Sequence, residues 1–210
     1  MKRATLPVLT LLLFVLGSCR FDHSPKTRII QYGPANGVDT YIQNSLRYHD
    51  WTWGKQPVLV SMIWTDDVNG SIQNNSRILI DFPELRQMPH QLIDSLKLTL
   101  YRVKDYAYIL GGQYGNNANK VCCITENWDQ NTANWDNQPA VDSSFSLTVP
   151  RNNQYDSVVI DLTRLLPGLL QYGHGIMIRQ QNRMPWSSAV YGSSNNPDPA
   201  NRPKLTVYYR

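Results

Sequence analysis

Hydrophobic residues alternate with polar residues over many short stretches of the chain. In Ile93–Tyr101, Leu96, Leu98 and Leu100 occupy every second position and polar residues lie between them. Because successive side chains of a β-strand point to opposite faces, this period of two predicts a strand with one buried face. Alternation also predicts strands at 77–82 and 145–149, and the segment 58–64 is predicted as a strand that is apolar on both faces. Further strands are predicted at 38–42, 106–110, 121–125, 157–161, 175–179, 189–191 and 205–209.

One segment differs from this pattern. Residues 162–172 are rich in Leu and follow Asp161, which can cap a short helix that Pro167 interrupts. Many strands at short spacing with turn residues between them are typical of a β-sandwich or barrel. We therefore expect an all-β fold, a jelly-roll-like antiparallel β-sandwich with one short helix.

The composition supports an all-β fold. Of the 16 acidic residues, 14 are Asp and two are Glu, and the chain has 13 Pro and 12 Gly. Glu is common on exposed helix faces, whereas Asp, Pro and Gly favour turns. This usage argues against a helix bundle or a doubly wound α/β enzyme.

The amino terminus resembles an export signal. Lys2 and Arg3 precede an apolar run, Leu6–Leu16, that is too short to span a bilayer. It ends at Leu16-Gly17-Ser18-Cys19, which resembles the lipobox of bacterial lipoproteins, so we expect a signal peptide at 1–18 and lipidation of Cys19. The alternative is an ordinary secretory signal with a chance cysteine. A tether would cover 19–37 and one domain 38–210.

Removal of Lys2 and Arg3 with the signal lowers the formal net charge from +4 to +2. A charge so close to zero argues against a nucleic-acid binder held by phosphate neutralisation. We expect membrane attachment through the lipid, with the protein in the cell envelope, at the outer membrane, on a face that the sequence does not specify.

The other two cysteines, Cys122 and Cys123, are adjacent in a predicted strand. Their side chains would point to opposite faces and could form only a strained disulfide, so we interpret them as small apolar residues.

Several segments occur in an order that resembles a known domain family. They are VDTYI (38–42), RILIDFPEL (77–85), LIDSLKLTLY (92–101), ITENWDQNTANWDNQPA (124–140), VIDLTRLL (159–166), HGIMIR (174–179) and the end of the chain, 187–209. Together they resemble the DNRLRE-type, disaggregatase-related β-sandwich domain of secreted bacterial and archaeal proteins. The most specific piece is the run containing Trp128, Asp129, Trp135, Asn137 and Pro139.

The resemblance covers about residues 38–209, and part of that superfamily is treated as carbohydrate-binding modules for acidic polysaccharides such as alginate. The chain departs from the family pattern at Gln130 and Asn134, where an acid and a Thr are usual. The name-giving DNRLRE-like stretch is absent. The segment 43–76 is also longer than the family implies, so a diverged ligand preference is expected.

Aromatic residues in predicted loops are the candidates for sugar binding, because sugar C–H faces stack on rings. The preferred cluster joins Trp186 with Arg179, Arg183 and Gln181, since an Arg fork can pair with a uronate carboxylate. The other candidates are Trp51, Trp53 and Tyr114. For each loop aromatic, packing over the end of the sandwich is an equal alternative.

Other residues have a structural interpretation. Trp128 and Trp135 are expected to pack at the sandwich edge around an Asx- and Pro-containing turn. Lys97, Arg102 and Lys104 form a second basic surface, whose more ordinary interpretation is a solvated sheet face.

Motifs of enzymes are missing from the sequence. It has no G-x-S-x-G, no HExxH and no phosphate loop, and its four His residues are scattered. No catalytic residue, resident metal or cofactor is therefore expected. A structural calcium ion bound by turn aspartates stays an open alternative, although no calcium-loop spacing is present.

Together these observations predict a lipid-anchored envelope protein that binds polysaccharide without catalysis. The first alternative is a structural or protein-docking module without a sugar site. The second is a hydrolase or lyase, which would need a cleft holding two carboxylates or a Tyr–His–Arg cluster.

Overall fold

A computed structural model describes residues 24–65, 73–89, 92–103, 113–182 and 185–210. The expected signal peptide, Cys19, the candidate Arg183, Lys104 and the predicted strand at 106–110 lie outside the described residues.

The described chain consists of strands, one α-helix and short 3-10 turns. The strands are β1 (Lys26–Ile30), β2 (Asp39–Asn44), β3 (Val58–Thr65), β4 (Gln73–Ile80), β5 (Ile93–Tyr101), β6 (Gln113–Tyr114), β7 (Asn119–Ile124), β8 (Val141–Val149), β9 (Ser157–Asp161), β10 (Ile176–Gln180), β11 (Ser187–Gly192) and β12 (Lys204–Tyr209). The helix is α1 (Leu166–Tyr172), and 3-10 helices cover Pro83–Gln87, Thr163–Leu165 and Pro199–Asn201.

The strands form two sheets, both built from antiparallel pairs. The smaller sheet has the order β1-β12-β5-β9. The larger has eight strands, with the order β6-β11-β3-β4-β10-β7-β8, and β2 pairs with β4. This is the expected all-β sandwich.

The larger sheet forks at β4. Strand β2 pairs with residues 75–80 of β4, β3 pairs with 73–76, and β10 pairs with 77–80. A strand has two edges, and the residues of β4 that pair with β2 include residues that also pair with β3 and with β10. Strand β2 therefore occupies one edge of β4, and β3 and β10 share the other edge. The sheet therefore splits on that edge between Ser76 and Arg77.

The main core lies between the two sheets. Leu96, Leu98 and Leu100 of β5 are fully buried in one cluster with Ile78 and Ile80 of β4. The alternation that predicted these strands from sequence therefore describes the face that each turns to the core.

A second, smaller core covers the opposite face of the larger sheet. Leu79, Met177 and Ile124 are buried there against the segment 126–140, whose Trp128 and Trp135 pack on them. The indole N–H of Trp128 donates a hydrogen bond of 2.9 Å to the carbonyl oxygen of His174. This agrees with the expected structural role of the two Trp residues.

Most predicted strands are present, and two agree to the residue, 93–101 and 157–161. Strand β1 was not predicted: it lies within the expected tether 19–37 and forms because Lys26–Ile30 pairs with β12. Likewise, β6 and the start of β7 replace part of the expected loop at 111–120. Pro167 does not interrupt α1 but lies in its first turn, where its missing N–H costs nothing.

Cys122 and Cys123 are buried free cysteines, as interpreted from the sequence. Burial raises the pKa of both thiols, that of Cys123 to about 12, so they remain protonated at neutral pH.

Within the described part of the chain, α1 and the short 3-10 turns include no helix of sufficient length and hydrophobicity to cross a membrane.

Candidate functional site

The fork in the larger sheet opens a cleft of about 410 Å³. It lies where β4 changes its partner from β3 to β10, so side chains of several strands reach it. Its lining consists of Met62, Ile63, Asn75, Ser76, Arg77, Lys120, Arg179, Gln180 and Gln181. Three of these nine residues are basic and none is acidic, so the cleft favours an anionic ligand.

The three basic residues form a row across three neighbouring strands. Arg179 of β10 lies directly opposite Arg77 of β4 on one side and opposite Lys120 of β7 on the other. Residues directly opposite in a ladder share a face, and like charges in such positions are destabilising. Ile78 and Ile178, their neighbours along the strands, face the main core. The row therefore lies on the outer face of the larger sheet.

The guanidinium group of Arg77 is held in place. It lies over the ring of Trp135, with its central carbon 4.4 Å from the ring centroid, and it donates a hydrogen bond to Oε1 of Gln138. Burial, and secondarily the charge of Arg179, lower the pKa of Arg77. The charge of Arg77 is thus partly desolvated and its side chain ordered before any ligand arrives.

No carboxylate pairs with this row among the residues that the structure describes; the ion pairs there involve Arg28, His49, Arg86 and Arg210. Two buried oxygens of the cleft lining, Ser76 Oγ and Gln180 Oε1, also have no hydrogen-bond partner there. Unpaired buried polar atoms are costly and rare in native proteins. The uncompensated positive charge of the row is consistent with a site that is completed by a negatively charged ligand. Ser76 and Gln180 lie two positions from Ile78 and Ile178 and therefore face the main core, away from the row.

The amide of Gln180 connects the two arms of the fork. Its Nε2 donates to the carbonyl oxygen of Ser61 in β3 at 2.7 Å, and Ser61 Oγ donates to Asn119 Oδ1 at 2.6 Å. These side-chain bonds replace the backbone ladder that the fork interrupts, so the cleft has a defined shape.

An aromatic patch of Trp64, Tyr114 and Trp186 lies beside the cleft. The ring centroid of Trp64 is 5.1 Å from that of Trp186 and 5.7 Å from that of Tyr114. About half of Trp186 and of Tyr114 is exposed, at 50% and 46%. Ile63, which lines the cleft, immediately precedes Trp64 and pairs with Ser187, the residue after Trp186. The patch and the cleft therefore adjoin at the end of β3.

A separate aromatic cluster is formed by Tyr48, Trp51 and Trp53 in the segment before β3. Ring centroids are 4.7 Å apart for Tyr48 and Trp51 and 5.8 Å apart for Trp51 and Trp53, and Trp53 stacks on Tyr41. Trp51 is 52% exposed. Because this cluster precedes Val58 and the patch follows Ile63, the two lie towards opposite ends of β3.

The structure brings together part of the candidate set that the sequence indicates. Arg179 and Gln181 line the cleft, and Trp186 and Tyr114 form the adjoining patch with Trp64. Trp51 and Trp53 do not belong to that group but to the other cluster, and Arg183 lies outside the described residues.

Sequence reasoning missed Arg77, Lys120, Ser76 and Gln180. The Gly- and Asn-rich sequence before Lys120 predicts a loop there, and nothing local connects Arg77 with Arg179. The available signal was that Arg77 and Arg179 each adjoin an apolar run of three residues within a predicted strand.

Among the described residues, no group of three or more His, Cys, Asp and Glu is placed to hold a metal ion. His49 Nδ1 and Asp136 Oδ2 are 2.7 Å apart, but both side chains are largely exposed. This pair stabilises the contact between the segments 45–57 and 126–140, which is also held by the bond from Trp135 N–H to the carbonyl of His49.

The family model of carbohydrate-binding module family 96 matches residues 34–209. The match covers most of the chain, so the protein belongs to this family of carbohydrate-binding modules. Such modules are usually non-catalytic. A comparison with curated proteins finds no matching sequence.

Proposed function

We propose that this protein is a non-catalytic polysaccharide-binding module that binds by aromatic stacking combined with hydrogen bonds from Arg and amide side chains. The observation that carries the proposal is the exposed patch of Trp64, Tyr114 and Trp186 beside Arg179 and Gln181. Membership in a carbohydrate-binding family supports it.

The proposed mechanism follows from the chemistry of the two adjoining surfaces. A sugar ring places its C–H face on Trp186 or Tyr114, where contact removes apolar area from water. Hydroxyls and acid groups of neighbouring sugar units then meet the amide of Gln181 and the planar fork of Arg179. Because the cleft has several positive charges and no acidic lining residue, a uronate-containing polysaccharide fits it better than a neutral one.

We further propose that the protein is exported and attached to the cell envelope, at the outer membrane, through a lipid on Cys19. The support is the sequence alone, namely the apolar run followed by Leu16-Gly17-Ser18-Cys19. The DNRLRE-type resemblance belongs to the same proposal and rests on the order of the segments between residues 38 and 209.

A binding screen tests the function. Residues 20–210, which include every described residue, are run on affinity gels that contain neutral or uronate polysaccharides, at low and high salt. We expect retardation by a uronate polysaccharide that weakens with salt. Salt-insensitive binding to a neutral polysaccharide would still support a polysaccharide-binding module, but one in which the aromatic rings contribute most of the affinity. A folded protein that binds none would favour the protein-docking alternative.

Two matched variants locate the site within that screen. Trp186→Ala removes an exposed ring of the patch, and Trp51→Ala removes a ring of similar exposure in the other cluster. We expect Trp186→Ala to weaken binding at least about fivefold, since stacking on one ring contributes roughly 1–3 kcal/mol in nucleic acid complexes. Binding that is lost with Trp51→Ala and kept with Trp186→Ala would move the site to the opposite end of β3.

A further inference from the structure

The row of Lys120, Arg179 and Arg77 has a regularity that binding of a single acid group does not explain. The three residues are in register on adjacent strands, and they share one face of the sheet. Resting on the proposed function, we infer that the row binds consecutive acid groups of one polysaccharide chain, which crosses the strands with one carboxylate at each cation.

The spacing of the row supports this direction. Neighbouring strands lie about 4.8 Å apart, so the backbone positions that carry the three cations recur at about that interval across the sheet. One sugar unit in an extended chain has a similar length. A polyuronate that lies across β7, β10 and β4 therefore offers successive carboxylates to Lys120, Arg179 and Arg77, whereas a chain that lies along one strand meets one of them.

The three cations differ in how they can hold an acid group. An Arg presents a planar fork that binds a carboxylate with two hydrogen bonds, and Lys offers a mobile point charge. The guanidinium group of Arg77 is already ordered by Trp135 and Gln138. The Arg77 end of the row thus fixes the position of the chain, and Lys120 at the other end adapts to it.

Titration with oligouronates of one to six units, followed by calorimetry, tests the inference. We expect affinity to rise at least about tenfold from one unit to three and then to level off, because three cations are then paired. Neutral oligosaccharides of equal length should bind at least tenfold more weakly than the trimer. Equal affinity for the monomer and the trimer, or for the neutral and the acidic trimers, would overturn it.

Charge variants test the assignment to the row. Lys120→Met and Arg179→Met keep much of the side-chain volume and remove one cation each. We expect each to weaken trimer binding at least tenfold and to make the remaining binding less sensitive to salt, because one charge–charge contact is lost. Lys97→Met is the matched control, since Lys97 lies on the other sheet against the ring of Tyr208.

The outcomes separate this inference from the proposed function. Polysaccharide binding that survives Lys120→Met and Arg179→Met but is lost with Trp186→Ala would support the proposed function. It would contradict the inference that the row of cations binds consecutive acid groups. Loss of binding in Lys97→Met as well would show a general charge effect, which also overturns it. No binding of any saccharide by the folded protein would overturn both.

Discussion

Trp186 is the one non-glycine residue with a positive φ in the part of the chain that the structure describes, at 65°. This left-handed conformation is costly for a residue with a Cβ, by roughly 1–2 kcal/mol. It places Trp186 immediately before β11, half exposed and edge-on to Trp64. Backbone strain of this kind persists where the surrounding structure holds it, and it is often found at binding sites.

A pair of substitutions at this position separates the backbone from the ring. Both Trp186→Ala and Trp186→Gly remove the indole, but only Gly adopts a positive φ without a steric cost. We expect the Gly variant to be more stable than the Ala variant by about 1 kcal/mol in urea unfolding. An Ala variant of equal or greater stability would show that the backbone is not left-handed in solution.

Asp39 is a second residue in an unusual environment. It is 3% exposed, and its carboxyl accepts hydrogen bonds from the backbone N–H and the hydroxyl of Ser194. Burial dominates these bonds and raises its pKa from 3.8 to about 6. The folded protein therefore holds a proton on Asp39 at pH values where the unfolded chain has released it.

The raised pKa of Asp39 determines the direction in which the free energy of unfolding changes with pH. Asp39 contributes most to stability below its unfolded pKa, and this contribution is lost as the pH rises through about 6. The shift of about two units corresponds to roughly 3 kcal/mol. We expect the free energy of unfolding of the wild type to fall by up to this amount, relative to Asp39→Asn, between pH 4 and pH 7.

Urea unfolding at several pH values checks this difference. The comparison with Asp39→Asn is needed because hydrogen bonds lower the pKa of Asp142 and Asp161, so their contributions are lost in the opposite direction, as the pH falls. The exposed Asp50→Asn is the control for loss of one charge. A constant difference between the wild type and Asp39→Asn across this range would contradict the assignment.

At the scale of elements, the turn between α1 and β10 depends on two glycines with positive φ. Gly173 ends α1 at a φ of 71°, and Gly175 follows at 79°. A Cβ on Gly175 would meet the backbone of Ile80 and Asp81, whereas one on Gly173 would meet only the flexible side chain of Arg86, at 3.1 Å. The approach of Gly175 to the end of β4 sets the register of β10, and with it the position of Arg179.

Alanine at these two positions should therefore have unequal effects. We expect Gly173→Ala to cost about 1 kcal/mol, from its backbone conformation alone. Gly175→Ala should cost at least about 1 kcal/mol more, since rigid backbone must also move. Thermal and urea unfolding of both variants measure the difference, and equal losses would show that the approach of Gly175 to β4 is not tight.

The elements also show how far the sequence predicts the structure. Strand β5 was predicted to the residue, because its Leu residues alternate on a fully buried face. Strand β4 begins four residues before its predicted start, since Gln73–Ser76 is polar and becomes a strand through pairing with β3. The basic row depends on the registers of three strands that are distant in sequence. A local pattern contains no information on such registers, so Arg179 was predicted and its two neighbours in the row were not.

At the scale of the whole molecule, the amino-terminal strand closes the edge of the smaller sheet. All five residues of β1 pair with β12, and Ile30 is 2% exposed in the main core. The cleft belongs to the other sheet. Strand β1 should therefore matter for stability and not for binding.

A chain that begins at Gln31 tests this separation. We expect its free energy of unfolding to fall by at least about 2 kcal/mol, because burial of the Ile30 side chain and the pairing with β12 are lost. Its affinity for the uronate trimer at a temperature where it stays folded should match that of residues 20–210. Weaker binding by the folded, shortened chain would show that the two sheets are coupled.

The position of β1 has a consequence for how many copies would act together. Lys26 follows Cys19 by seven positions, which span at most about 25 Å when extended, so the proposed lipid would hold the smaller sheet close to the bilayer. The cleft, on the outer face of the opposite sheet, would then point away from the lipid in every copy. A long polymer that meets such a surface would be bound by several molecules at once, and the resulting avidity would exceed the affinity of any single cleft.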